Sequence, residues 1–283
     1  KIAANAYNWD VTESNGENWF KPYVEYLNDK KVLSKHSYLP WQELNRERAA
    51  DLLARMLKYD HDKTIGGMSL GCGKPEPLYP TTAVTVDGQD RTFLLSHPNN
   101  YSQNTPEPLI IAFHGRTNSN EQVERYYGLR READSSIVAY PAGLPNGGGF
   151  TWTSSGDKGL NQNAVRFFDT IVEQLATQYC IDLDNVTVVG HSLGAWAANT
   201  VACARGGIVM ASATVGGDGG IADCPGPSGA LVAHNPDDKL ASFDATKRMM
   251  ENRLKENGCF DPPVPMTNNA LNCQQYSCAN GTD

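Results

Sequence analysis

The sequence has no Cys-x-x-Cys pair and no cluster of histidines and cysteines at zinc-ligand spacing. This removes the common structural zinc modules and the dithiol redox motif. No apolar run approaches the roughly 20 residues of a membrane-spanning helix. Positive charge is short as well: 24 Lys and Arg stand against 32 Asp and Glu, for a net charge of −8. A chain with that balance lacks the basic footprint of a nucleic-acid binder. Histidine is scarce, with six residues at 36, 61, 97, 114, 191 and 234. No leader segment is legible, and the abrupt opening at Lys1-Ile2-Ala3 suggests a processed or trimmed N-terminus.

What is present fits one large domain with a small appendage: 283 residues, 40% of them hydrophobic and 20% charged. Seven cysteines, at 72, 180, 203, 224, 259, 273 and 278, point to disulfides and so to an exported or cell-surface protein. The alternative is a set of buried thiols. The odd count leaves one sulfur without an intrachain partner, and spacing alone does not give the connectivity.

The most informative stretch is Asn185-Val186-Thr187-Val188-Val189-Gly190-His191-Ser192-Leu193-Gly194-Ala195-Trp196. It reads as a β-branched strand, a Gly-x-Ser-x-Gly turn and the start of a helix. Such a turn holds the serine in strained backbone with its hydroxyl above the sheet, and the flanking glycines leave room for it. Ser192 is therefore the candidate nucleophile. The backbone N–H of Leu193, at the helix start, is a candidate oxyanion donor.

The remaining pattern alternates strands and helices. Ala83–Val86, Asp87-Gly88 and Arg91–Leu95 predict a hairpin. Leu109–Phe113 and Ile137–Pro141 are apolar runs typical of strands buried on both faces. A helix is predicted over Asn163–Tyr179, and another from the elbow to Cys203. Strands follow at Val209–Gly217 and Ala230–His234, then a helix over Phe243–Asn257 stopped by Gly258. Alternation of this kind predicts an α/β fold with a mainly parallel central sheet flanked by helices. Thr64–Pro80, rich in Gly and Pro, reads as a linker. It separates a helical N-terminal segment, residues 1–65, from a main domain over residues 66–283.

Two resemblances extend this reading. Asp10-Val11, Trp19-Phe20, Pro22-Tyr23-Val24 and Asn45-Arg46-Glu47-Arg48-Ala49-Ala50 resemble a single S-layer-homology motif, although that family usually has Thr-Arg at Asn45-Arg46 and three repeats. The resemblance implies contact with a cell wall; the alternative is a helical hairpin packed against the main domain. From Gly71 to Cys278, the elbow, the His114-Gly115 loop and His234-Asn235-Pro236-Asp237-Asp238 resemble the α/β-hydrolase esterases, and most closely the feruloyl esterase and polyhydroxybutyrate depolymerase group. The segments Gly71-Cys72-Gly73-Lys74, Tyr140–Leu144, Cys180-Ile181-Asp182, Ala202-Cys203 and Glu256–Cys259 carry the more specific part of that match.

The resemblance implies a Ser–Asp–His triad in that chain order. Asp238 takes the place of the acid, with its neighbour Asp237 as the competing candidate. No histidine follows Asp238. The resembling family places its base about ten residues beyond the cysteine that Cys278 matches. The expected base therefore lies beyond residue 283. The oxyanion donors map to the N–H groups of Leu193 and Arg116. The family pairing implies a Cys259–Cys278 disulfide and leaves Cys273 over.

Pro145–Trp152 reads as a loop at the carboxyl end of a strand, where α/β sheets bind ligands. Trp152 is a candidate substrate wall there, with core packing as its alternative. Tyr126, Tyr127 and His191 are further candidate substrate contacts. No metal or other cofactor is expected. The leading expectation is a secreted serine esterase that acts on feruloyl or acetyl esters of plant polysaccharide, or on polyesters. The alternative is a catalytically silent esterase scaffold that binds wall or polysaccharide.

Overall fold

A computed structural model describes residues 67–153, 162–219, 224, 226–260, 262–263 and 273–279. The S-layer-like segment at residues 1–65 lies outside the described residues. In chain order the strands are β1 (Ala83–Val86), β2 (Gln89–Ser96), β3 (Glu107–Phe113), β4 (Ile137–Pro141), β5 (Leu144–Asn146), β6 (Gly149–Thr151), β7 (Ile181–His191), β8 (Val209–Val215) and β9 (Gly229–Ala233). The helices are α1 (Asn120–Tyr126), α2 (Leu129–Glu132), α3 (Gln162–Gln178), α4 (Leu193–Ala204) and α5 (Phe243–Glu256).

Seven strands form one sheet in the order β1-β2-β4-β3-β7-β8-β9. The β1–β2 hairpin turns on Asp87 and Gly88, both at positive φ (53° and 74°), as a tight two-residue turn requires. β2 then pairs antiparallel with β4. From β4 onward every pairing in this sheet is parallel. The carboxyl ends of β3, β7, β8 and β9 therefore lie along one edge. The residues just past them are His114, Ser192, Gly216 and His234.

Alternate residues of the central strands feed opposite faces. Ile111, Phe113, Ile137, Ala139, Val186 and Val188 pack into one large core with α3 and α4. Ala112, Val138 and Tyr140 pack with Val123 of α1 on the other face. The central strands read as unbroken apolar runs because both faces are covered.

Two expectations are corrected here. The segment starting at Gly67, read as linker, is docked on the domain. Ser69 N–H donates to Ile181 O (2.9 Å) and Gly71 N–H to Ala176 O (2.7 Å). A Cβ on Gly71 would lie 2.1 Å from Tyr179 O, so only glycine fits this approach. Pro145–Trp152, read as a loop, contains the β5–β6 hairpin, with Gly147 and Gly148 at positive φ in its turn.

Three disulfides join Cys72 to Cys180, Cys203 to Cys224 and Cys259 to Cys278. The last is the pairing the resemblance implied, and Cys273 stands outside all three bridges.

Candidate active site

Ser192 sits between β7 and α4 with φ 55° and ψ −125°. Among the described residues, Ser192 and Asp87 are the non-glycine residues at positive φ. Such a conformation costs on the order of 1–3 kcal/mol and persists only where neighbours hold it. Those neighbours are visible. Ser192 N–H donates to Val215 O (2.8 Å), and Ser192 O accepts from Ala195 N–H (2.8 Å) and Trp196 N–H (3.2 Å). A Cβ on Gly190 would lie 2.3 Å from Gly194 O, and one on Gly194 would lie 2.1 Å from Phe113 O. Both glycines of the motif are therefore required by the close approach of β7, α4 and β3.

The N–H of Leu193, at the first position of α4, has no partner within the helix and points along its positive end. The loop after β3 runs beside it: a Cβ on buried Gly115 would lie 3.6 Å from Ser192 Cβ. Four hydrogen bonds hold that loop. His114 Nδ1 contacts Gly115 O (2.7 Å) while its Nε2 accepts from Gly143 N–H (2.8 Å). Trp152 Nε1–H donates to His114 O (3.0 Å). Phe150 N–H donates to Arg116 O (2.7 Å). Arg116 itself is exposed at the rim.

The bonding pattern fixes the His114 tautomer. Gly143 N–H can only donate, so Nε2 is the acceptor and Nδ1 carries the proton. The ring is fully buried, and burial holds its pKa below the ordinary imidazole value.

Trp152 is corrected as a substrate wall. Its side chain has no exposed surface and stacks edge-on against Phe113, with ring centroids 5.0 Å apart. The indole packs in the core and ties down the His114 carbonyl. Tyr127 also has a structural part: its hydroxyl donates to Phe113 O (3.0 Å), and burial pushes its phenol far up in pKa. Tyr126, stacked edge-on against Tyr127 at 4.9 Å, stays half exposed and remains a candidate contact.

Asp238 lies in the turn after β9. Its Oδ1 accepts from Leu240 N–H (2.7 Å) and Ala241 N–H (3.0 Å). These two bonds, Ala241 first, hold the carboxyl below the ordinary aspartate range. Its Oδ2 faces the end of β8, 3.8 Å from where a Gly216 Cβ would be. The ring of exposed His191 comes within 4.0 Å of the same point. The N–H of Asp237 donates to Asn235 Oδ1 (3.0 Å), and its side chain is exposed.

Three of the four described histidines have both ring nitrogens engaged. His97 meets Glu76 and Pro98 O, His114 ties the loop after β3, and His234 bonds Thr246 and Ala241. The structure thus brings together Ser192, Leu193, Gly115, Asp238 and His191, and removes Trp152 from the surface. Sequence reasoning missed the parts played by His114, His234 and the glycines after β8. Only the Gly216-Gly217 pair directly after a strand signalled one of them.

The family model described as "Putative esterase" matches residues 85–213. "Probable feruloyl esterase C" of Aspergillus oryzae is 32% identical over 207 residues, spanning 69% of this chain and 71% of that protein. The chain belongs to the α/β-hydrolase esterases. "Feruloyl esterase D" of Neurospora crassa is 28% identical over 209 residues, covering 68% of this esterase and 69% of the relative. The fold of this esterase also matches the solved "Acetyl xylan esterase from Aspergillus awamori", with a TM-score of 0.50 and 16% identity over 62% of this chain and 78% of that one. The esterase is a carboxylic ester hydrolase.

Proposed function

We propose that this esterase works through an acyl-enzyme on Ser192 and cleaves feruloyl or acetyl esters of plant polysaccharide, or polyester chains, outside the cell. Ser192 Oγ attacks the ester carbonyl carbon while a histidine base takes its proton. The N–H groups of Leu193 and Arg116 receive the oxyanion. The protonated base returns its proton to the leaving alkoxide, and water then hydrolyses the acyl-enzyme. Asp238 holds the base in its productive tautomer and stabilises the imidazolium. This reading takes the base from outside the described residues: His97, His114 and His234 are engaged elsewhere, and His191 sits inside the elbow turn next to Ser192.

The observation that carries this reading is the strained backbone of Ser192, φ 55°, at the start of α4. The feruloyl preference rests on the named relatives. The extracellular setting rests on three disulfides. Cell-wall contact through residues 1–65 belongs to the same proposal and rests on the S-layer resemblance.

A panel of feruloylated arabinoxylan, acetylated xylan and polyhydroxybutyrate tests the substrate class. Release of ferulate or acetate, lost in Ser192→Ala, is the expected result. Turnover confined to other ester classes would overturn the substrate assignment. Turnover retained by Ser192→Ala would overturn the mechanism.

A further inference from the structure

His234 has no part in the mechanism above, yet it is among the most completely engaged side chains near the site. Its side chain is 2% exposed. Nε2 lies 3.2 Å from Ala241 O and Nδ1 lies 2.8 Å from Thr246 Oγ1. The Ala241 carbonyl can only accept, so Nε2 carries the proton and Nδ1 accepts from the Thr246 hydroxyl. Thr246 is fully buried on α5. The ring packs beside Phe243, with centroids 5.7 Å apart. A buried imidazole with both nitrogens bonded is a poor proton shuttle and a stiff cross-link.

What it links is the turn that carries Asp238. Ala241 is gripped on both sides of its Cα: its N–H donates to Asp238 Oδ1 (3.0 Å), and its C=O accepts from His234 Nε2–H (3.2 Å). Asp238 N–H closes the same turn on Asn235 O (3.0 Å). The anchored Oδ1 fixes the carboxylate plane and leaves Oδ2 aimed at the Gly216 side. His234 Nε2–H also lies 3.8 Å from that oxygen. The end of β9 is held to β8 by Gly216 N–H to Ala233 O (2.9 Å). The rest of the turn depends on the tie to α5.

We propose that His234 is a positioning residue: through Thr246 on one side and Ala241 on the other, it locks the Asp238 carboxylate in the orientation that the catalytic base needs. The inference rests on Asp238 acting as the triad acid. Without the tie, the backbone at Ala241 is released on its carbonyl side, its N–H is no longer held to Oδ1, and the carboxylate samples orientations that do not meet the base. The cost falls on the chemical step.

The experiment measures kcat and KM for intact enzyme and five variants, per active site titrated by the acyl burst with p-nitrophenyl acetate, and per mole of folded protein for Ser192→Ala. His234→Leu and Thr246→Val should each lower kcat about 10- to 100-fold with KM within about threefold, the range expected when a buried hydrogen-bonding group loses its partner. Thr246→Ser, which keeps the hydroxyl, should stay near the parent. His234→Gln, which keeps a donor for Ala241 O, should recover most of the loss. If His234→Leu does not fold, Thr246→Val and Thr246→Ser carry the test. A parental kcat per site in Thr246→Val and in any folded His234→Leu enzyme would overturn the proposal, because a purely structural role changes the number of active sites and leaves kcat alone. The fifth variant, Ser192→Ala, separates the two readings. If it turns over like the parent, the serine mechanism itself fails. If it is inactive while the His234 and Thr246 variants match the parent, only the positioning role fails.

Discussion

Ser192 N–H donates to the carbonyl of Val215 at 2.8 Å, so the candidate nucleophile hangs from the end of the neighbouring strand. The strand continues into Gly216 and Gly217, which separate Ser192 from the Asp238 turn. A Cβ on Gly217 would lie 2.7 Å from Ser192 O and 2.8 Å from Ala195 Cβ.

Gly217→Ala should therefore disturb the elbow directly. Overpacking of this kind costs roughly 1–3 kcal/mol, and here it should lower kcat as well. Gly207, whose Cβ would meet nothing within 4 Å, is the control. Gly207→Ala should change stability by no more than about 0.5 kcal/mol. Urea unfolding and ester turnover on the two variants check both statements.

Asp238→Asn should reduce kcat by about 10³- to 10⁴-fold, because an amide no longer enforces the tautomer of the base. Asp237→Asn should stay within a few-fold of the parent, its side chain being exposed. The N–H groups of Ala241 and Leu240 lower the Asp238 pKa. Its charge-dependent contribution is thus complete above the ordinary aspartate range and is lost only as pH falls through the lowered value. Loss of Asp238-dependent activity at neutral pH, with the protein folded, would contradict this.

His114 shows the same pH sign, in a different window. Burial lowers its pKa, so the folded state favours the neutral ring and the unfolded chain binds the extra proton. Its contribution to stability is full above the unfolded-chain value of about 6.5 and declines as pH falls below it. Protonation would set a second donor against Gly143 N–H. His114→Phe should cost about 1–3 kcal/mol at pH 8, since it leaves Gly143 N–H unpaired, and should flatten the dependence of stability on pH below 6.5. Thermal melts across pH, parent against variant, provide the check.

Removing the bridge that spans the longest separation, Cys72 to Cys180 at 108 residues, should destabilise the protein by about 2–5 kcal/mol. The reason is local as well as entropic: the bridge pins the Gly67–Lys74 segment against the start of β7. A Cys72→Ser, Cys180→Ser double variant that melts with the parent would count against that role.

Much of the sheet was legible because the central strands are buried on both faces. Leu109–Phe113 and Ile137–Pro141 stand out as apolar runs, and the structure has strands at both places. Gly190 and Gly194 were legible for the same reason that they are required, since no side chain fits between β7, α4 and β3. Other features depend on partners distant in the chain. Trp152 looks like a surface aromatic until His114 O is brought to its indole, 38 residues away. The β5–β6 hairpin has a glycine-rich turn that composition alone reads as loop. The Gly67–Lys74 segment has linker composition, but Ser69 and Gly71 are fitted against residues more than 100 positions later. His114 and His234 show the same limit. Their tautomers, and hence their roles, are set by Gly143 N–H and the Ala241 carbonyl, which spacing does not reveal.

The central claim is that Ser192 carries the acyl group. Treatment of the intact enzyme with a fluorophosphonate, followed by peptide mass spectrometry, tests it most directly. The account predicts one adduct, on the peptide containing Gly190-His191-Ser192-Leu193-Gly194, with loss of ester turnover in step with labelling. Full inactivation with the adduct on another residue, or turnover that survives complete labelling of Ser192, would contradict it.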